Sequence, residues 1–422
     1  MLLKLARGVL SAMIVCEMVV CLSSVQGANE PWKPTGQETP ESMKSGTHAI
    51  NRPKEAGTYY KATVPDTLDL AERARMGLNH LTSVISEKDD YEMYWNVRFE
   101  ESDPPLPHFQ LSPLFACQAK YLEAMAMLRL MSGSQQNLEL EAKMTEMLIS
   151  HIGEEGIYWV MPSGGRKPWL GSESNRPYAQ VHGQGDMMHA MIAWYQYTGN
   201  PRWKELIDRM VDGVDRLMLA HKKDYAYFPI HGIMPEEYFR SCYVKGRGWK
   251  DTEEPSNEKA GEEGSLFVHQ GRIAEALANW SALTGNKQAL RMSGELIRFY
   301  MQPKFWADNP GGDYPGVVGA EHAHWQGHYH GYVGILQGIM AYANATNDAR
   351  LKAFVRDGYE WTRQAWLARI GFVGDGQGCG LARLIKLAIM LSDAGVGDYW
   401  EDVDLYVRNC QAESKFTPDD IP

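Results

Sequence analysis

One pattern recurs five times along the chain: an apolar helix, a short polar turn and an amphipathic helix. The turns are Ser132-Gly133-Ser134, Thr198-Gly199-Asn200, Thr284-Gly285-Asn286, Thr346-Asn347-Asp348 and Gly395-Val396-Gly397. Gly or Asn suits the left-handed position that ends a helix, and Pro201 after Asn200 suits the start of the next one. Segments around these turns vary in length while the hairpin stays constant. The first helices, 116–131, 186–197, 270–283, 331–345 and 380–391, are apolar nearly all round, as helices buried on most sides are. The second ones, such as 201–219 and 348–366, carry one charged face. Together with a further helix over 67–86, this predicts an inner ring of helices inside an outer ring. The expected fold is all-α: an α/α toroid of about six helical hairpins with few short strands. An open helical solenoid is the structural rival.

Composition narrows the function classes. The 422 residues carry 42 Lys and Arg against 53 Asp and Glu, a net charge of −11, which excludes a basic nucleic-acid coat. It leaves room for an anionic sugar in a locally basic cleft. Downstream of the N-terminal segment, no stretch offers the ~20 consecutive apolar residues of a membrane span. At the N-terminus, Lys4 and Arg7 precede an apolar run over 9–22 and small residues at 25–28, the layout of an export signal. The expected organisation is a signal peptide over 1–27, an extended leader over 28–60 and a catalytic toroid over 61–422. The destination is secreted or periplasmic, with Cys21 as the place where a lipid anchor would attach. Past residue 27 only Cys117, Cys242, Cys379 and Cys410 remain, too few for a disulfide scaffold.

In a toroid the segments entering the inner helices open on one face. Here those segments contain His108; His182, Gln184 and Asp186; Glu262, Glu263 and His269; Glu321, His322, His324, Trp325, His328, Tyr329 and His330; and Asp375 with Cys379. Histidines, acids and aromatics converging on one end of a barrel make a site. Three chemistries fit them. In glycoside hydrolysis, Glu262 or Glu263 is the general acid, and Asp186, Asp375 or Glu321 its partner carboxylate. In β-elimination on a uronate, His328 or His330 is the base and Tyr329 protonates the leaving oxygen. Arg247 or Gln184 then neutralises the uronate carboxylate. In metal binding, His322, His324 and Cys379 are the candidate zinc ligands. Trp249 and Trp325 offer faces on which sugars stack, and His108, His182 and His269 complete the mouth. The implied partner is a polysaccharide or oligosaccharide; a third class is a glycan-binding protein without turnover.

The C-terminal hairpin adds a resemblance. Gln377-Gly378-Cys379-Gly380-Leu381, an apolar helix, and then Asp398-Tyr399-Trp400-Glu401-Asp402-Val403-Asp404-Leu405-Tyr406 resemble the last inner and outer helices of the β-L-arabinofuranosidase family. That resemblance implies an α/α-barrel, a carbohydrate substrate and a zinc ion held in part by a Glu and the Cys matched by Cys379. Gln377 stands where the family has Glu, and the Cys-Cys pair that supplies its thiolate nucleophile is absent here. The resemblance therefore extends to fold and substrate class and leaves the reaction open. Cys117, at the start of the first inner helix, is the expected neighbour of Cys379 in a closed ring.

Overall fold

The structure is a computed structural model, and it describes residues 69–93, 96–98, 106–108, 117–159, 178–220, 224–228, 237–239, 243–244, 248–249, 264–301, 329–366, 371 and 378–412. Among them run eleven α-helices: α1 (Leu70–Ser83), α2 (Cys117–Ser132), α3 (Leu138–Ser150), α4 (Val181–Thr198), α5 (Pro201–Asp215), α6 (Gly264–Thr284), α7 (Lys287–Tyr300), α8 (Tyr329–Thr346), α9 (Ala349–Trp366), α10 (Gly378–Asp393) and α11 (Trp400–Tyr406). The strands are short antiparallel pairs. Ile85–Ser86 meets Glu92–Met93, Asn96–Arg98 meets Leu106–His108, and Tyr178–Gln180 meets Glu237–Phe239. Leu219–Ala220 meets Ala226–Tyr227, and Tyr243–Val244 meets Gly248–Trp249.

The five turns share one construction. Ser132, Thr198, Thr284, Thr346 and Ser392 each donate their hydroxyl to the carbonyl four residues back, at 2.6–2.9 Å. Gly133, Gly199, Gly285, Asn347 and Gly395 then take the left-handed conformation that stops the helix. Asn200, Asn286 and Asp348 cap the following helix by accepting from the backbone N–H of Arg202, Ala289 and Arg350, respectively. Each hairpin is thus specified within about six residues of sequence.

The inner helices α2, α4, α6, α8 and α10 pack in that order, each against the next. The outer helices α5, α7, α9 and α11 lie on α4, α6, α8 and α10. The burial pattern separates the two rings. Residues 183–193 of α4 and 380–391 of α10 are buried without interruption, whereas α5 buries Trp203, Leu206, Ile207, Met210, Val211 and Val214, one stripe at helical spacing.

The rival solenoid is excluded by contacts between helices two places apart. Arg272 of α6 reaches Glu123 of α2, and Lys386 of α10 reaches Glu275 of α6 at 2.5 Å. In an open row, an intervening helix about 8–10 Å thick separates second neighbours. Only a tightly curled ring brings their side chains together across an interior. The fold is the all-α toroid that the hairpin repeat implies.

The family-like hairpin at the C-terminus acquires a physical role. Tyr359 of α9 donates to Asp402 Oδ2 at 2.8 Å, Arg363 donates to Asp402 Oδ1 at 3.0 Å, and Tyr399 donates to Glu360 at 2.8 Å. The residues that carry the resemblance, Tyr399 and Asp402, clamp the last hairpin onto the preceding outer helix.

Candidate functional site

Each inner helix should be apolar all round, yet each interrupts its apolar run with polar residues one turn apart. These are Lys120 and Glu123 in α2, Asp186 and His189 in α4, Arg272 and Glu275 in α6, Gln337 in α8, and Arg383 and Lys386 in α10. Lys120, Asp186, Arg272 and Gly334 all stand thirteen residues ahead of the left-handed turn residue of their hairpin, and Arg383 stands twelve ahead. The second members follow three residues later in every helix. The ring therefore carries two polar layers, separated by about 4.5 Å of helix rise.

These side chains meet inside the ring. The Arg272 guanidinium donates through Nε to Asp186 Oδ1 at 2.8 Å and through Nη2 to Glu123 Oε2, and its Nη1 lies 3.8 Å from Glu275 Oε2. His189 Nδ1 is 3.6 Å from Glu123 Oε1, and its Nε2 is 3.6 Å from Glu275 Oε2 and 3.2 Å from the Arg272 carbonyl. Glu123, Asp186, His189, Arg272, Glu275 and Lys386 are all 0–4% exposed. Lys120, 3.9 Å from Asp186 Oδ2, keeps 10% of its side chain exposed and marks the more open side.

Two glycines set the spacing. Gly185 presses α4 against α6 at Ile273, beside Arg272, where any Cβ would strike backbone. At Gly334 the missing side chain leaves the space that Arg383 Nη1 fills; a Cβ there would collide with it. The upper layer therefore needs glycine in α8 because α10 supplies arginine.

Arg272 lies between Glu123 and Asp186, Lys386 pairs with Glu275, and Lys120 stands 3.9 Å from Asp186. Burial pushes the Glu275 carboxyl up, but Lys386, together with Arg272, holds it well below the usual range. Burial raises the Glu123 carboxyl to about 8, although Arg272 and Lys386 pull it down. Glu123 therefore keeps its proton to higher pH than an ordinary carboxylic acid does. Burial, with Arg272 beside it, keeps His189 neutral. Its Nε2–H pairs with the Arg272 carbonyl, which leaves the Nδ1 lone pair facing Glu123 Oε1. Neither Glu123 Oε1 nor Asp186 Oδ2 has a hydrogen-bond partner.

Of the candidates read from the sequence, Asp186 lies at the centre of this cluster. Gln184 does not point to a ligand. Its Oε1 accepts from the Tyr158 N–H at 2.8 Å and its Nε2 donates to the Tyr158 carbonyl at 2.7 Å, so its amide pins the 151–159 segment to α4. His182, His269, Tyr329 and His330 fall within the opening turns of α4, α6 and α8, and not in loops. By register, His182 and His330 stand seventeen residues ahead of their turn residues and His269 sixteen, one helical turn beyond the upper polar layer. Cys379 also stands sixteen ahead, in the first turn of α10; it and Cys410 are free thiols. His108 and Trp249 lie on short strands. Arg247, Glu262, Glu263, Glu321, His322, His324, Trp325, His328 and Asp375 lie outside the described residues. Among the described residues, no group of three or more His, Cys, Asp and Glu is arranged to hold a metal ion, and no helix is long and apolar enough to cross a membrane.

The composition-based reading missed Glu123, Arg272, Glu275 and Lys386, and gave His189 no role of its own. The signal that finds them is the fixed offset of polar pairs from the turn, which emerges only when the five repeats are aligned.

No family model matches the chain, and no curated protein matches it in sequence. Solved structures do share its architecture. The crystal structure of a D-mannose isomerase is 12% identical, covers 79% of this chain and 84% of its own, and gives a TM-score of 0.50. A family 76 glycoside hydrolase from a bovine Bacteroides thetaiotaomicron strain is 13% identical over 94% of this chain and 69% of its own, at 0.46. An unsaturated glucuronyl hydrolase from Bacillus sp. GL1 is 11% identical over 95% and 99%, at 0.48. The likeness to the isomerase is one of fold alone, and nothing in it points to the β-L-arabinofuranosidase family.

Proposed function

We propose that this protein is a carbohydrate-active enzyme, a glycoside hydrolase whose sugar enters the ring from the N-terminal ends of the inner helices. The observation that carries the reading is the arrangement of Glu123 and Asp186 on one guanidinium, each keeping an oxygen without a hydrogen-bond partner. Two carboxyl groups of opposite protonation are what glycosidic cleavage requires. Glu123, which keeps its proton to higher pH than an ordinary carboxylic acid, is the general acid that protonates the departing oxygen. Asp186, paired with Arg272, supports the positive charge that develops on the sugar or activates the water that replaces the leaving group. Arg272 positions both. His189, neutral and facing Glu123 Oε1, is the route by which Glu123 regains its proton. Export across a membrane accords with a polysaccharide substrate and belongs to the same proposal.

The test is a screen of purified protein on neutral and uronate-containing polysaccharides, read by reducing ends and by ultraviolet absorbance. Reducing ends without new absorbance support hydrolysis; an absorbing unsaturated product supports elimination instead. Glu123→Gln and Asp186→Asn should each lower kcat by at least about 100-fold.

Burial of the cluster at 0–4% favours a second reading, in which the two layers are a clasp that closes the ring of a glycan-binding protein. Under that reading both variants lose stability and neither changes a turnover.

A further inference from the structure

The contacts of His189 fix its protonation atom by atom. Its Nε2 lies 3.2 Å from the Arg272 carbonyl and 3.6 Å from Glu275 Oε2. Both of those groups are acceptors, so Nε2 carries the hydrogen and Nδ1 of the neutral ring carries the lone pair. Nδ1 faces Glu123 Oε1 at 3.6 Å, and that oxygen has no hydrogen-bond partner. Two lone pairs facing each other away from water repel, and a proton on Glu123 Oε1 removes the conflict. The other oxygen, Oε2, already accepts from the Arg272 guanidinium, so Oε1 is the one free to hold that proton. Contacts of 3.6 Å are slightly longer than hydrogen bonds, and catalytic contacts of this kind tighten once a ligand is in place.

The far side of the ring is fixed in turn. Lys386 Nζ lies 2.5 Å from Glu275 Oε1, and Arg272 Nη1 lies 3.8 Å from Oε2. Burial opposes a charge on Glu275, but the two cations keep it ionised. Burial, Arg272 and Lys386 also keep His189 from gaining a second proton, against the pull of Glu275. Four inner helices thus supply one line of groups: Lys386 from α10, Glu275 from α6, His189 from α4 and Glu123 from α2.

We propose that Glu275, paired with Lys386, is a positioning residue that fixes His189 as the Nε2–H tautomer, so that Nδ1 presents its lone pair to Glu123 Oε1. A buried carboxylate behind an imidazole does the same in a Ser-His-Asp triad, with a carboxylic acid here in place of the serine hydroxyl. The functional consequence rests on the hydrolase reading, since it names what orients that reading's acid. The tautomer itself is independent of turnover.

The experiment is nitrogen NMR of the full protein with isotope-labelled histidine, His189 being assigned by the signal that His189→Gln removes. Couplings between the ring nitrogens and the carbon-bound ring protons distinguish the two tautomers. Wild-type His189 should be a neutral Nε2–H imidazole between pH 5 and pH 8. In Glu275→Gln the Nδ1–H form should appear beside it. Glu275→Gln/Lys386→Met, which removes both charges of the pair together, gives the same test should the single variant lose its circular dichroism spectrum. On a glycan that the protein cleaves, Glu275→Gln should lower kcat about tenfold or more, keep KM within about twofold and shift the pH profile. An Nδ1–H ring or an imidazolium in the wild type overturns the proposal, and so does an unchanged tautomer in the Glu275 variants. The expected tautomers in a protein that cleaves no glycan leave the positioning role standing and remove the hydrolase reading. Glycan hydrolysis together with either overturning result does the reverse.

Discussion

Replacing Glu123 by Gln tests the electrostatics of the ring directly. Glutamine keeps the shape of a protonated glutamic acid and cannot titrate. If Glu123 is protonated in the folded protein with a pKa near 8, against 4.5 for an unperturbed side chain, the folded state holds one proton more than the unfolded state between those values. Stability then falls as pH rises, by about 1.4 kcal/mol per pH unit in the middle of the window. The variant lacks that loss, whereas every other titrating group is common to both proteins. The difference in unfolding free energy, wild type minus variant, should drop by about 3.5 kcal/mol from pH 5 to pH 8, an upper bound because the interior relaxes. Urea unfolding at four pH values in that range measures it. At pH 5 the two should lie within about 1 kcal/mol of each other, since the substitution is then nearly isosteric and isoelectric. A difference that stays flat across the range, or that grows with pH, refutes the claim that burial keeps a proton on Glu123.

Other outcomes follow from the same contacts. Arg272→Met removes the guanidinium that bridges Glu123 and Asp186 and should cost about 3–5 kcal/mol at pH 8, less at pH 5 where protons replace the lost charge; chemical denaturation at both values checks this. His189 should stay neutral to well below pH 6.5, so its contribution to stability is present above that value and is lost as acid charges the unfolded chain. Imidazole nitrogen shifts between pH 5 and 8 should show no titration. Gly334→Ala drives a methyl into the Arg383 guanidinium and should cost about 1–3 kcal/mol by thermal unfolding; a variant as stable as wild type would mean that Arg383 moves freely. Asp402→Ala leaves the buried Tyr359 hydroxyl without its acceptor and Arg363 without one carboxylate, and should cost about 1–3 kcal/mol with no change in sugar binding.

The sequence by itself determined the hairpins. A hydroxyl residue, a glycine or asparagine, and a capping side chain lie within a few residues of one another, and they act through hydrogen bonds that close locally, as Thr198, Gly199 and Asn200 do. Burial class was equally legible, because an all-apolar helix has only one place to go. Helix starts were less so. Gly183, Gln184 and Gly185 read as a loop, yet they lie inside α4, since Gly185 is there to let α6 approach and not to turn the chain. Ring closure and the charged centre were decided by tertiary structure alone. A lysine in an apolar helix has no visible partner until the ring curls, because the partner stands on a helix some 110 residues away, as Glu275 does for Lys386. Whether a buried carboxyl keeps its proton depends on how many cations the surrounding helices bring within a few ångströms. That is a property of the assembled ring, and no single segment of the sequence contains it.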